Sequence, residues 1–200
     1  LHAPVLLGDA GSTRARSGDQ VVVEIIEFPS PPSPARGVVV EVLGRRGDPG
    51  IDTLSIIRQY GFREQFPEEV IEDARRVIRD HRLEDGLARR EDLRSEVIVT
   101  IDPDDAKGFD DAISLRRVGR RFELGVHIAD VSTFVQPGRP LDHEAAVRGN
   151  SIYFPRHVLP MLPEVLSNGL CSLQEAQPRL TKSAFIEYDA RGNRKSKRFA

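Results

Sequence analysis

The sequence holds no tryptophan, one methionine and one cysteine, and aromatic residues make up 6% of its 200 positions. A single thiol, Cys171, excludes an internal disulfide and suits a reducing compartment, so the expected location is the cytoplasm. No stretch approaches the roughly 18 consecutive apolar residues of a membrane-spanning helix, so no membrane partner is expected. The Cys/His spacing of a zinc site is missing, and so is the calcium-loop pattern with its terminal glutamate. No excess of one charge exists either: 29 Lys and Arg against 31 Asp and Glu leave a net charge of −2. That balance does not advertise nucleic-acid binding, but an average conceals local separation. Acids gather at Asp102 to Asp111, and bases at Arg116 to Arg121 and Arg191 to Arg198. Such separation suits a basic track for phosphates beside an acidic metal pocket, and equally suits solvated hairpins.

What is present centres on Thr100 to Leu115, TIDPDDAKGFDDAISL, where Asp102, Asp104, Asp105, Asp110 and Asp111 lie between two apolar runs. Val97 to Ile101 is β-branched and predicts a buried strand; Ala112 to Leu115 predicts a second. If the two strands lie side by side, Asp102, Asp110 and Asp111 converge at one sheet end. Carboxylates that close repel by kilocalories each unless cations or protons intervene, and a hard divalent ion is the natural remedy. Asp104 is expected in solvent. Lys107 can either reach a phosphate or stay solvated.

Around this loop the pattern is mixed. Val5 to Leu7, Val21 to Ile26 and Val38 to Leu43 predict strands of a small β domain, with a proline-rich loop between the second and third. Asp52 can cap a helix that Gly61 stops, and Pro67 opens a second helix with Val70, Ile71, Ala74, Val77 and Ile78 on one face. Phe122, Leu124, Val126 and Ile128 alternate along a strand and predict the core-facing side, leaving His127 on the less apolar face as a hydrogen-bonded structural histidine. Asp130 either supports the acidic site from behind or caps the next turn. Asp142 can cap a short helix ending at Arg148-Gly149, and Ser167-Asn168-Gly169 predicts a helix stop. Tyr153 is either an exposed ring able to stack on a base or part of the core. The sequence opens on Leu1 and closes just after a turn that should lead into a strand, the pattern of a piece of a longer protein.

The acidic stretch resembles the signature of the RNase II/RNase R (RNB) exoribonucleases, roughly I-D-x-x-D-A-[KR]-D-F-D-D-A. The resemblance continues through GVHIADVSTFVQPG (125–138), LDHEAAVRGNSIYFP (141–155) and VLPMLPEVLSNGLCSL (158–173). One departure falls on the motif itself: Gly108 stands where the family usually has an aspartate. The resemblance implies an α+β chain: the C-terminal part of a cold-shock, OB-like barrel (1–45), a helical connector (46–93) and the N-terminal part of an RNB-type α/β nuclease domain (94–200). It implies 3′→5′ hydrolysis of single-stranded RNA to nucleoside 5′-monophosphates with Mg²⁺, or Mn²⁺ in its place. By the same resemblance Asp102, Asp110 and Asp111 hold metal, Asp110 is the catalytic residue, Asp105 shapes the loop and Tyr153 stacks on RNA. A monomer associated with RNA-decay machinery is the implied assembly. Further aromatics and a basic transition-state residue are expected beyond residue 200, so these residues alone should not degrade RNA efficiently. A catalytically degenerate RNA-binding protein is the competing reading, and Gly108 is its evidence.

Overall fold

The computed structural model describes residues 3–8, 14–83, 87, 90–104, 106 and 108–200. It is a mixed α+β structure of two compact units: 1–64 with 154–157, and 65–153 with 158–200. Among the described residues no helix is long and apolar enough to cross a membrane.

In the first unit, β1 (Val5–Leu7), β2 (Asp19–Glu27) and β3 (Ala35–Arg45) form one sheet in the order β1-β3-β2. β1 runs parallel to β3, and β2 pairs antiparallel with it through three register shifts that twist the sheet. Helix α1 (Ile51–Tyr60) follows, with Arg58 hydrogen-bonded to both oxygens of Glu41 on β3 at 2.7 and 3.0 Å. Gly61 ends it in the left-handed region (φ 64°), as expected. The N-cap is Gly50 with no side-chain cap, so Asp52 lies in the first turn, where the helix dipole favours it.

The second unit begins with α2 (Glu68–Asp80). Its Val70 and Ala74 join Phe134, Leu141, Leu166 and Cys171 in the buried core, while Ile78 is exposed. A five-stranded sheet follows in the order β10-β9-β6-β5-β4, with every pairing antiparallel. Its strands are β4 (Ile98–Val99), β5 (Asp111–Val118), β6 (Arg121–Ala129), β9 (Thr181–Tyr188) and β10 (Arg194–Phe199). Between β6 and β9 lie a 3₁₀ turn (Val131–Thr133), α3 (Pro140–Arg148), the short strands β7 (Ile152–Phe154) and β8 (His157–Leu159), and a π-helical turn (Leu166–Leu170).

Four expectations are corrected. Val97 to Ile101 is not a buried strand: only Ile98 and Val99 pair, at the sheet edge, and Val97 and Ile101 are each 81% exposed. On β6 the covered face is the opposite one. Gly125, His127 and Ala129 are buried, whereas Phe122 and Ile128 are exposed. The covered face lies under the segment before β4, since Glu91, Leu93 and Glu96 line a small cavity with Ser114, Glu123 and Phe185. Ser167-Asn168-Gly169 does not stop a helix; it lies inside the π-helical turn, closed by the Cys171 N–H donating to Leu166 O at 2.9 Å. Asp142 is not the cap of α3, which starts at Pro140; its carboxylate instead accepts the Gly138 N–H at 2.8 Å.

Candidate metal and RNA site

The acidic loop closes the edge of the sheet. β4 pairs with β5 in the register Ile98↔Ser114 and Val99↔Ile113, so Asp102 leaves beside the end at which Asp110 and Asp111 enter β5. The backbone fixes the second half of the loop. Asp110 O accepts the Ala129 N–H at 2.9 Å, Phe109 O accepts the Leu173 N–H at 2.8 Å, and the Phe109 N–H donates to the buried Ser172 Oγ at 3.1 Å. Phe109 and Asp110 are thereby tied to the ends of two other segments.

Electrostatics show which carboxylates face one another. The Asp110 carboxyl is raised above its ordinary value by partial desolvation, then by the charges of Asp111 and Asp102. Burial and then the same Asp110 charge push the nearby Cys171 thiol up to about 12, so this cysteine is a buried neutral group and no nucleophile. Among the described residues no cation pairs with Asp102, Asp110 or Asp111. Asp104 is exposed, as expected; Asp105 and Lys107 lie outside the described residues.

The donor set is all oxygen and excess negative, which is the chemistry that a hard divalent cation satisfies. Yet among the described residues no three Asp, Glu, His or Cys side chains are grouped closely enough to hold a metal by themselves. The set therefore fits, in kind, an ion that keeps water and takes its remaining ligands from substrate oxygens. Gly108 lies within this loop. A Cβ added there would meet Ser167 O at 3.2 Å and Asn168 Oδ1 at 3.4 Å, so an aspartate would press on the π-helical turn.

Behind the loop, the buried histidine is held at both ring nitrogens, with Nδ1 2.9 Å from Ser183 Oγ and Nε2 3.0 Å from Ser114 Oγ. Burial lowers its pKa and keeps the ring neutral, so His127 is structural, as its place in the sequence suggests. Gly125 makes the room, because a Cβ there would lie 2.7 Å from His127 Nε2. Asp130, 3% exposed, accepts hydrogen bonds from Arg90 and Ser132 and pairs with Lys182 at 3.7 Å. Its ties are to the frame rather than to the acidic cluster. Arg90 also donates to Thr181 O at 3.0 Å, which joins the segment before β4 to β9.

Tyr153 is 77% exposed on β7, so it is no core residue. The basic hairpins are partly neutralised: Arg116 pairs with Glu123, Arg121 with Glu187, Lys195 with Asp189 and Arg198 with Glu91. Sequence reasoning missed the part played by Ser172 and Asn168, because Ser172 lies 63 residues after Phe109 and no local pattern links the two.

Comparison with known proteins bears on the family and the fold. Residues 90–200 match the RNB domain model and residues 1–67 a cold shock domain model. The chain is 48% identical over 181 residues to ribonuclease R of Thermotoga maritima, covering 89% of this chain and 25% of that protein. It is 43% identical over 195 residues to ribonuclease R of Acidithiobacillus ferrooxidans, covering 98% and 44%. The chain thus spans a quarter to less than half the length of these relatives. Among solved structures it superposes on Mycoplasma genitalium RNase R in complex with double-stranded RNA with a TM-score of 0.87 at 31% identity, covering 99% of this chain and 35% of that one. Its fold is also shared by yeast Ssd1, described as a pseudonuclease, with a TM-score of 0.69 at 22% identity, covering 92% of this chain and 24% of that one. With the RNB model matching residues 90–200, more than half of the sequence, the chain belongs to the RNB family.

Proposed function

We propose that this chain is the cold-shock and RNB portion of a 3′→5′ exoribonuclease that hydrolyses single-stranded RNA to nucleoside 5′-monophosphates. The observation that supports it most is the acidic end of β5, where partial desolvation and then the charges of Asp111 and Asp102 raise the Asp110 carboxyl with no described cation to offset them. Asp102, Asp110 and Asp111 would hold Mg²⁺, or Mn²⁺ in its place. Such an ion, when bound, polarises a phosphodiester and supplies an activated water. The chain's own contribution is positional. Asp110 is held through its carbonyl by the Ala129 N–H, so its carboxylate works from a fixed backbone. Tyr153 offers an open ring on which a base can stack. RNA as the ligand is supported by relatives named ribonuclease R and by the Mycoplasma genitalium enzyme described with ribose-methylated single-stranded RNA, at a TM-score of 0.88 and 31% identity. A cytoplasmic monomer working with RNA-decay machinery completes the proposal. Residues 1–200 alone bind RNA but turn it over poorly.

A second reading rests on Gly108. Without the family's carboxylate the site has one charge fewer and two fewer ligand oxygens, which favours an RNA binder that has lost hydrolysis. One experiment separates the two. The full reading frame that encodes this sequence is expressed, and 5′-labelled single-stranded RNA is followed with Mg²⁺ for the native protein, Gly108→Asp and Asp110→Asn. Conversion to short end products by the native protein, lost in Asp110→Asn, supports the nuclease. Silence from the native protein with activity in Gly108→Asp supports the binder and ends the first reading.

A further inference from the structure

The second unit carries a cavity well separated in sequence from the acidic loop. It lies between the C-terminal half of α2 and the corner after β6, with a volume near 240 Å³, and Arg76, His81, Thr133, Phe134 and Arg139 are among its walls. Its charge is unusual. Asp73, 5% exposed, sits beneath it; Asp73 Oδ1 accepts Arg76 Nη2 at 2.5 Å and Arg139 Nε and Nη2 at 3.2 and 2.8 Å. Its other oxygen is taken by the Leu141 N–H at 3.3 Å. Two guanidinium charges therefore converge on one carboxylate. Asp80, the acid on the rim, is paired with Arg79 at 3.2 Å and does not offset the excess. One positive charge is left over, in a concave place where solvent screens it less than on an open face.

The remaining donors suit a tetrahedral anion. Arg76 keeps Nε and Nη1, and Arg139 keeps Nη1, free of other partners among the described residues. The fork geometry of a guanidinium matches phosphate oxygens, and a shared carboxylate holds both forks in place before any ligand arrives. The Thr133 hydroxyl donates to Asp130, so Thr133 lines the wall without adding a donor. His81 is fixed edge-on against the buried Phe134 ring, with centroids 4.8 Å apart, and gives one wall an apolar surface on which a sugar can rest. The volume is below the usual range for drug-sized ligands, roughly 300–1,000 Å³, and accommodates a phosphate with its ribose rather than a whole nucleotide.

We propose that this cavity is a second phosphate site, which takes one phosphate and its attached sugar, either from an RNA backbone or from a free nucleotide. The leftover single charge matches that of a phosphodiester. The site does not depend on the metal reading, and its test does not use hydrolysis.

The isotope-labelled chain is titrated, without divalent metal, with inorganic phosphate, with AMP and with a single-stranded 12-mer RNA lacking a terminal phosphate. Backbone amide shifts at residues 76–81 and 133–139 are the readout. The expected result is saturable movement of these amides in the native protein. Arg76→Gln should weaken it at least tenfold, Arg76→Lys should keep part of it, and Asp110→Asn should leave it unchanged. Saturation by AMP and phosphate identifies a free nucleotide as the source; response to the 12-mer alone identifies the RNA backbone. Stationary amides with every titrant, or equal affinity in a folded Arg76→Gln protein, overturn the proposal. The native titration decides the matter even if a variant does not fold.

Discussion

The carboxylates of the second unit form two groups with opposite surroundings. Asp73, Asp130 and Glu144 are each 5% exposed or less, and each is answered by arginine: Arg76 and Arg139 on Asp73, Arg90 on Asp130, Arg148 on Glu144. Asp102, Asp110 and Asp111 are exposed, lie at one sheet end and have no described cation beside them. The first group spends its charge on holding segments together. Arg90 ties the stretch before β4 to Asp130, and Asp73 gathers Arg139 and the start of α3 onto α2. The second group is left with its charge unspent, and on that charge the proposed cation site rests. The buried acids are architecture, and the acids at the end of β5 are where the proposed chemistry would lie.

Substitutions at the two groups should therefore fail in opposite ways. The largest loss of stability is expected from Asp130→Ala, which strands the Arg90 guanidinium at the sheet corner. Urea unfolding should show a loss of about 3–5 kcal/mol. Asp110→Asn should leave the urea midpoint unchanged or raised, because it removes a repulsive charge, while hydrolysis by the full reading frame falls by more than about a hundredfold. That is at least the loss typical of groups one shell further from a metal. Tyr153→Ala should cost about 1–3 kcal/mol in single-stranded RNA affinity by fluorescence anisotropy, with the melting temperature unmoved, since the ring is exposed. Gly125→Ala should cost roughly 1–3 kcal/mol by driving a methyl group into the His127 pair with Ser114.

The smallest effect is one of pH. Burial alone would raise the Asp130 carboxyl, but hydrogen bonds from Ser132, Arg90 and Thr133, with the Lys182 charge, outweigh it and hold the pKa below the ordinary 3.8. A carboxyl depressed in the folded state stabilises it above the unfolded value and loses that contribution as pH falls through the folded one. Acid unfolding of the native chain should thus steepen below about pH 4, and Asp130→Asn should flatten that limb. An unchanged limb would remove Asp130 from the structural group.

Much of this was legible beforehand, and the failures have physical causes. The strand after the acidic loop and the helix stop at Gly61 follow from local pattern and turn chemistry, and the α+β class from the family resemblance; of the run before the loop only Ile98 and Val99 pair. The covered face of β6 did not, because a period of two separates two faces without saying which one meets the core. In this sheet the polar side is covered, with His127 satisfied by Ser114 and Ser183, while Phe122 and Ile128 on the apolar side are exposed. Asp73 escaped notice inside an apolar stripe because its partner Arg139 is 66 residues away. The π-helical turn misled because Ser-Asn-Gly is ordinary stop chemistry, and only the packing of the loop against it reveals an i→i+5 bond. Tyr153 was undecided from sequence, and its exposure removes the core reading.

The central claim is that the exposed acids, and not the buried ones, are the cation site. Its most direct test is a Mn²⁺ titration of the 200-residue chain with a ribose-methylated single-stranded RNA present, followed by electron paramagnetic resonance against an RNA-only control and comparing the native protein, Asp110→Asn and Asp73→Asn. The account predicts saturable loss of free Mn²⁺ signal with the native protein and with a folded Asp73→Asn, and little or none with Asp110→Asn. Equal uptake by Asp110→Asn, or no uptake by the native chain, would contradict it.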